Sequence, residues 1–183
     1  FVRSLALFTR IFDYLDRKSD ITNCENPLTP DLSDSSVEFK DVCFAYNETK
    51  PILKGVNFKV GNGKMFAIVG TSGAGKSTII GMIPRLYDVV SGSVEIAGVD
   101  VRKIDLSYLR QNIGMVTQDT YLFNGTIMEN LVYAKADATK EEIENACKVA
   151  NIYDFIMSLP EKFDTVVGNR GLKLSGGEKQ RIS

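Results

Sequence analysis

Histidine is absent from all 183 residues. Imidazole is the usual general base near neutral pH and the commonest metal ligand, so His-based catalysis and most transition-metal sites are excluded within these residues. Cysteine is scarce, and Cys24, Cys43 and Cys147 are an odd number at wide, irregular spacing. That pattern argues against a disulfide framework or a zinc site and for a reducing compartment. No apolar run is longer than the five residues of Met65–Val69, far below the roughly 18 that a membrane span needs. A surplus of charge is missing as well: 22 Lys and Arg face 23 Asp and Glu. With no basic cluster, the electrostatic case for nucleic acid or anionic lipid as the main partner falls away. What remains is 44% hydrophobic and 25% charged, an ordinary globular composition at a length that fits one domain. The chain opens on Phe1, has its first methionine at Met65 and stops at Ser183 inside what reads as a helix. A piece of a longer protein is expected.

Leu5, Phe8, Phe12 and Leu15 recur at three- and four-residue steps with Arg3, Arg10 and Asp13 off the stripe, which predicts a packing helix over 1–16. Residues 17–35 turn polar, with Pro27 and Pro30, and read as an extended linker. Alternation then predicts antiparallel strands through Val37 and Phe39, through Val42, Phe44 and Tyr46, and through Val56, Phe58 and Val60. A phase slip at Asp41 predicts a bulge. Met65–Val69 reads as a strand buried on both faces, Val94–Ile96 and Ile113–Val116 as further strands, and Ser107–Gln111 as a short helix. This is an α/β pattern. Beyond Gln118 the character is helical: Thr139 with Glu142 forms a capping box ahead of Ile143, Ala146, Cys147 and Ala150, and Ile152–Ser158 is closed by Pro160. Ser175 with Glu178 opens a third helix in the same way.

The sharpest motif is Gly70-Thr71-Ser72-Gly73-Ala74-Gly75-Lys76-Ser77-Thr78, which satisfies G-x-x-x-x-G-K-[ST] between an apolar run and a helix. Its glycines let successive backbone N–H groups face phosphate oxygens, with the helix N-terminus adding its positive end. Lys76 is then placed to reach the β- and γ-phosphates and Ser77 to offer a hydroxyl to Mg²⁺. The loop alone leaves GTPases, kinases, motors and transporter ATPases open; no Asn-Lys-x-Asp element favours guanine. About a hundred residues on stands Leu174-Ser175-Gly176-Gly177-Glu178-Lys179-Gln180-Arg181. A Ser N-cap followed by two glycines exposes a hydroxyl and unpaired N–H groups at a helix start, which is an anion site.

That segment resembles the LSGGQ-type signature of the ATP-binding cassette family, with Glu178 where the family often has Gln. Tyr46 is similar to the aromatic on which the adenine ring stacks. Gln118 resembles the glutamine that touches Mg²⁺ and the attacking water and whose loop faces the membrane domain. Thr165-Val166-Val167-Gly168-Asn169-Arg170-Gly171 resembles the segment before the signature in exporter-type cassettes, usually written with Glu where Asn169 stands. Ile11–Asp16 is similar to the stretch after their last transmembrane helix. The resemblance implies a P-loop NTPase core with a parallel, RecA-like sheet, an antiparallel β subdomain (with the core, 36–118) and a helical subdomain (119–183). It implies ATP and Mg²⁺ as cofactors, and as partners a transmembrane domain and a second cassette bound head to tail at the cytoplasmic face of a membrane. Ser175, Gly176 and Gly177 would then serve the partner's nucleotide.

The family's Asp-Glu pair after an aliphatic strand and its downstream His have no match here, since neither an Asp-Glu dipeptide nor a histidine occurs. The expectation is a chain that binds nucleotide without a general base, with part of its core sheet supplied from outside these residues. A non-hydrolysing nucleotide-binding or assembly module stays open as the alternative.

Overall fold

β-Branched and aromatic residues at alternating positions build the first sheet. In the computed structural model, which describes residues 8, 11–12, 14–17, 19–47, 50–168 and 172–183, β1 (Val37–Ala45) lies between β2 (Pro51–Val60) and β3 (Ser91–Ile96), with β4 (Val99–Asp100) beyond β3. Every pairing is antiparallel. The phase slip at Asp41 is a bulge. Phe39 pairs with Phe58 and Val42 with Val56, so β1 spends one residue more than β2, and Asp41 takes φ 47°. Asn57 holds the bulge by bonding the Asp41 amide and carboxylate at 2.9 and 2.6 Å. Because of the extra residue, Phe39 and Val42 both point inward and both are fully buried.

They pack with Leu53, Met82, Ile104 and Leu109 in one core. Each such side chain contributes roughly 1.5–3 kcal/mol by leaving water. Met82 comes from α1 (Lys76–Met82), and Leu109 from α2 (Leu106–Gln111), capped by Asp105, whose carboxylate accepts from the Tyr108 amide. The turn-rich segment after residue 17 is tied down where it passes α2. Asn23 bonds the Asp105 carboxylate and the Leu106 amide, Leu28 bridges to Ile104, and the Tyr108 hydroxyl donates to the Pro30 carbonyl.

Two expectations are corrected. Met65–Val69 and Ile113–Val116 lie outside every strand ladder, and Met65, Val69, Met115 and Val116 are exposed. Among the described residues no strand runs beside either segment. A strand meant for burial on both faces needs neighbours for its N–H and C=O groups, and apolar content does not supply them. The first segment is tied down by Ile68, which packs on the core, and by stacking of Phe39, Phe58 and Phe66 at 4.4 and 5.0 Å between centroids with planes 17° and 10° apart.

The chain divides into two compact units, Phe1–Gly114 and Met115–Ser183. The second holds α3 (Ile127–Val132), α4 (Lys140–Val149), α5 (Tyr153–Ser158) and α6 (Gly176–Ile182). A small antiparallel pair, β5 (Gly125–Thr126) and β6 (Val166–Val167), joins them. Ile127, Cys147, Ile152, Ile156 and Val167 are its buried centre. Ile143 and Cys147 are buried as predicted, whereas Ala146 is exposed. Of the expected first helix, Phe8, Phe12 and Leu15 are helical and exposed. Arg3, Leu5, Arg10 and Asp13 lie outside the described residues, as do Asn169, Arg170 and Gly171.

Both expected capping boxes form, and so does a third, Thr126 with Glu129, that the sequence reading passed over. Glu142 illustrates their electrostatics. Its carboxylate accepts from Lys135 Nζ at 2.8 Å and from the Thr139 amide at 2.7 Å, and these bonds, the Lys135 one first, lower its pKa to about 2. A depressed carboxylate pKa stabilises the fold above the unfolded value, near 4.5, and that contribution is lost as pH falls toward 2. Glu142→Gln is therefore expected to flatten the dependence of the urea midpoint on pH between 5 and 2. A slope as steep as the wild type's would show that the box does not carry it.

Candidate functional site

The loop from Gly70 to Gly75 turns tightly because two of its glycines take conformations closed to other residues. Gly73 has φ 79° and Gly75 φ 90°. A Cβ on Gly73 would meet open space, whereas one on Gly75 would come within 2.9 Å of Leu53 Cδ2 and 3.2 Å of Ile52 Cγ2. Gly75 thus seats the start of α1 directly against β2. It caps the helix without any side-chain hydrogen bond, which leaves the amides of the first turn for an external acceptor. Lys76 Nζ donates to the carbonyls of Gly70 and Thr71 at 2.9 and 2.7 Å, which holds its ammonium at the loop mouth. Ala74 N–H donates to Thr71 O and tightens the turn. Thr71, Ser72 and Ser77 are exposed, and Thr78 is buried.

This donor set fits the terminal phosphates of a nucleotide: amides without a side-chain cap and one ammonium. Ser77 is the residue here that would hold Mg²⁺ jointly with those phosphates. Among the described residues no group of three or more His, Cys, Asp or Glu gathers to hold a cation by itself.

Tyr46, at the end of β1, is brought to this loop across 32 residues of sequence. Its hydroxyl lies 3.0 Å from Thr78 Oγ1, one residue beyond Ser77. Its ring meets Phe44 and Tyr87 edge-on at 4.9 and 5.2 Å and remains 57% exposed. Beside it opens a cavity of about 620 Å³ bounded by Cys43, Ala45, Tyr46, Pro51, Leu53 and Val90. An aromatic platform next to an apolar recess suits a flat heterocycle.

The second unit holds the other predicted residues. Ser175 caps α6: its hydroxyl accepts from the Glu178 amide at 3.3 Å, and its own amide donates to the Glu178 carboxylate at 2.6 Å. The backbone hydrogen bond from Ser175 holds Glu178 below the usual carboxylate range. Leu174 and Ile182 are buried and anchor the helix at both ends, while Gly176 and Gly177 stay at the surface. Nothing lies within 4 Å of a Cβ built on Gly176, and only the Arg181 guanidinium, at 3.7 Å, near one on Gly177. Gln180 Nε2 reaches back to the carbonyls of Thr117 and Gln118 at 3.5 and 3.4 Å. Gln118 and the signature segment are therefore neighbours, a contact between residues 62 apart that no motif announced. The exposed Gln118 side chain belongs to this unit, and Lys76 and Ser77 to the other.

Comparison with known proteins gives the chain a family. A family model described as ABC transporter matches residues 53–183. The ABC transporter aclQ of Aspergillus oryzae is 54% identical over 183 residues, covering 99% of this chain and 22% of its own length. The ATP-dependent lipid A-core flippase of Syntrophus aciditrophicus is 42% identical over 181 residues, covering 99% of this chain and 30% of its own. A solved structure of a bacterial Atm1-family ABC exporter with ATP bound is 42% identical, with a TM-score of 0.91 over 98% of this chain and 32% of that one. The chain spans only between 21% and 31% of the length of such curated relatives. Matched from Leu53 to its last residue and alike in fold to an exporter of that kind, this chain belongs to the ABC transporter family.

Proposed function

We propose that this chain is the ATP-binding cassette of an exporter-type transporter, with Mg·ATP bound at the Gly70–Thr78 loop and ATP hydrolysis by the complete domain driving export. The observation that carries the reading is the loop itself: φ 90° at Gly75 against Leu53, uncapped amides and the Lys76 ammonium at its mouth. Lys76 binds the outer phosphates and Tyr46 the base. Ser77 would hold Mg²⁺, while a part for Gln118 toward the ion and the attacking water rests on the family resemblance. When bound, Mg²⁺ neutralises charge on the phosphates. Ser175, Gly176 and Gly177 present a hydroxyl and amides to the nucleotide of a second cassette packed head to tail, with Leu174, Glu178 and Gln180 fixing that helix. Phosphoryl transfer depends on positioning and electrostatics. Without His or an Asp-Glu pair, the 183 residues by themselves bind nucleotide and do not turn it over.

Among the described residues no helix is long and apolar enough to cross a membrane. Attachment to a transmembrane domain at the cytoplasmic face belongs to the same proposal, supported by relatives that are exporters, and the division into 1–16, 17–35, 36–118 and 119–183 is proposed with it.

Gly177→Asp in the full-length protein tests the shared site. The helix tolerates it, because the space is open, Arg181 is close and an acid near a helix N-terminus is favourable. A carboxylate aimed at a partner's phosphates is expected to reduce phosphate release by roughly 10²-fold or more, the scale of losing one electrostatic stabiliser. ATP affinity at the variant's own loop should stay within about twofold, as for a surface substitution. Full release by the variant would sink the head-to-tail reading.

A further inference from the structure

Tyr87 has no place in any of the motifs above, yet it is the residue that fixes how Tyr46 stands. It follows α1 in a turn locked from several directions. Leu86 N–H donates to Gly81 O at 2.9 Å. The buried Arg85 side chain grips Asp88 through two bonds of 2.7 and 3.0 Å. Arg110 donates to the carbonyls of Pro84 and Arg85 at 3.1 and 2.9 Å. Gly81 on α1 leaves the Tyr87 ring its place, since a Cβ there would sit 3.3 Å from Tyr87 Cε2.

From this rigid turn the Tyr87 ring meets Tyr46 at 5.2 Å with planes 88° apart, and Phe44 at 5.4 Å. The neighbouring Tyr46 side chain pushes the Tyr87 phenol above its ordinary range. The Tyr46 hydroxyl in turn meets Thr78 Oγ1 at 3.0 Å. Tyr46 is thus held at its edges by Phe44 and Tyr87 and at its tip by Thr78. A ring so fixed loses little rotamer freedom when a ligand stacks on it, and that saving appears as affinity.

We propose that Tyr87 is a positioning residue for the nucleobase: its ring, together with Phe44, sets the plane of the Tyr46 ring, whose hydroxyl meets Thr78 in the first turn of the phosphate-binding helix. This rests on the reading that Tyr46 receives the base. It assigns to the turn after α1 a part in nucleoside recognition that its sequence does not advertise.

The test compares ATP with inorganic tripolyphosphate, which has phosphates and no base, by calorimetric titration of the full-length protein at fixed Mg²⁺. Tyr87→Ala removes the ring and is expected to weaken ATP by roughly 2- to 10-fold, the scale of one aromatic pair, and to leave tripolyphosphate unchanged. Tyr87→Phe keeps the ring and should bind ATP as the wild type does. Wild-type ATP affinity in Tyr87→Ala would overturn the proposal. So would parallel losses for both ligands, which would mean that Tyr87 acts on the loop through Gly81. Tyr46→Ala separates the two levels. If it weakens ATP alone while Tyr87→Ala is silent, only the positioning role falls. If it leaves ATP unchanged, the base-stacking reading falls and takes the proposal with it.

Discussion

Lys76→Ala is expected to weaken ATP binding by roughly 10- to 100-fold, because a hydrogen bond to a charged group contributes about 1.5–3 kcal/mol. Phosphate release by the full-length protein should drop further, by roughly 10²–10³-fold, since charge on the transferring group is greatest in the transition state and one preorganised stabiliser is gone. The fold should not feel the change. Lys76 Nζ spends its bonds on the Gly70 and Thr71 carbonyls, both in exposed residues of the loop, and water replaces it there. The unfolding midpoint should therefore move by no more than the equivalent of about 0.5 kcal/mol. Equal affinity for ATP in wild type and variant would mean that the phosphates sit elsewhere. A large stability loss would mean that the lysine is structural.

The largest effect on stability is expected at Gly92. It has φ 82°, and a Cβ there would lie 2.3 Å from Lys40 O and 2.4 Å from Asp41 O. Both obstacles are backbone, and no rotamer relieves them. They also belong to the bulge, where the β1–β3 register shifts between Lys40 and Cys43. Gly92→Ala should cost about 2–5 kcal/mol, combining roughly 1–2 for the left-handed backbone and 1–3 for forced repacking. Gly98→Ala is the control, because Gly98 has φ 74° with nothing within 4 Å of the new carbon. It should lose only the backbone part, about 1–2 kcal/mol. Similar urea midpoints for the two variants would show that the close approach of β3 to the bulge is not what the fold depends on.

What the sequence makes legible here is what is decided within a turn or two. The loop from Gly70 to Thr78 and the caps at Thr139 and Ser175 each rest on spacings of a few residues, and each forms. The Asp41 bulge was readable because an extra residue shifts the phase of every later side chain. The Thr126 box was just as visible, as Thr with Glu three residues on, and went unread. Pairing is different in kind. Met65–Val69 has the apolar content of a buried strand, but a strand exists through its neighbours, and none of the described strands lies beside it. The tie between Asn23 and Asp105 spans 82 residues and that between Gln180 and Gln118 spans 62. Tyr87 was invisible for a similar reason. Its importance comes from whose ring it touches, and no spacing rule connects position 87 with position 46.

The column of Phe39, Phe58 and Phe66 has a mechanical consequence. Nearly parallel aromatic faces resist being pulled apart or wedged open, yet they tolerate lateral offset at little cost. Phe66 stands four residues ahead of Gly70, and it is one point where the run leading to the loop is laid on the sheet. The column is therefore a slip bearing. It is stiffer against lifting and tilting than against sliding in the plane of the rings, at the place where Phe66 lies on the sheet.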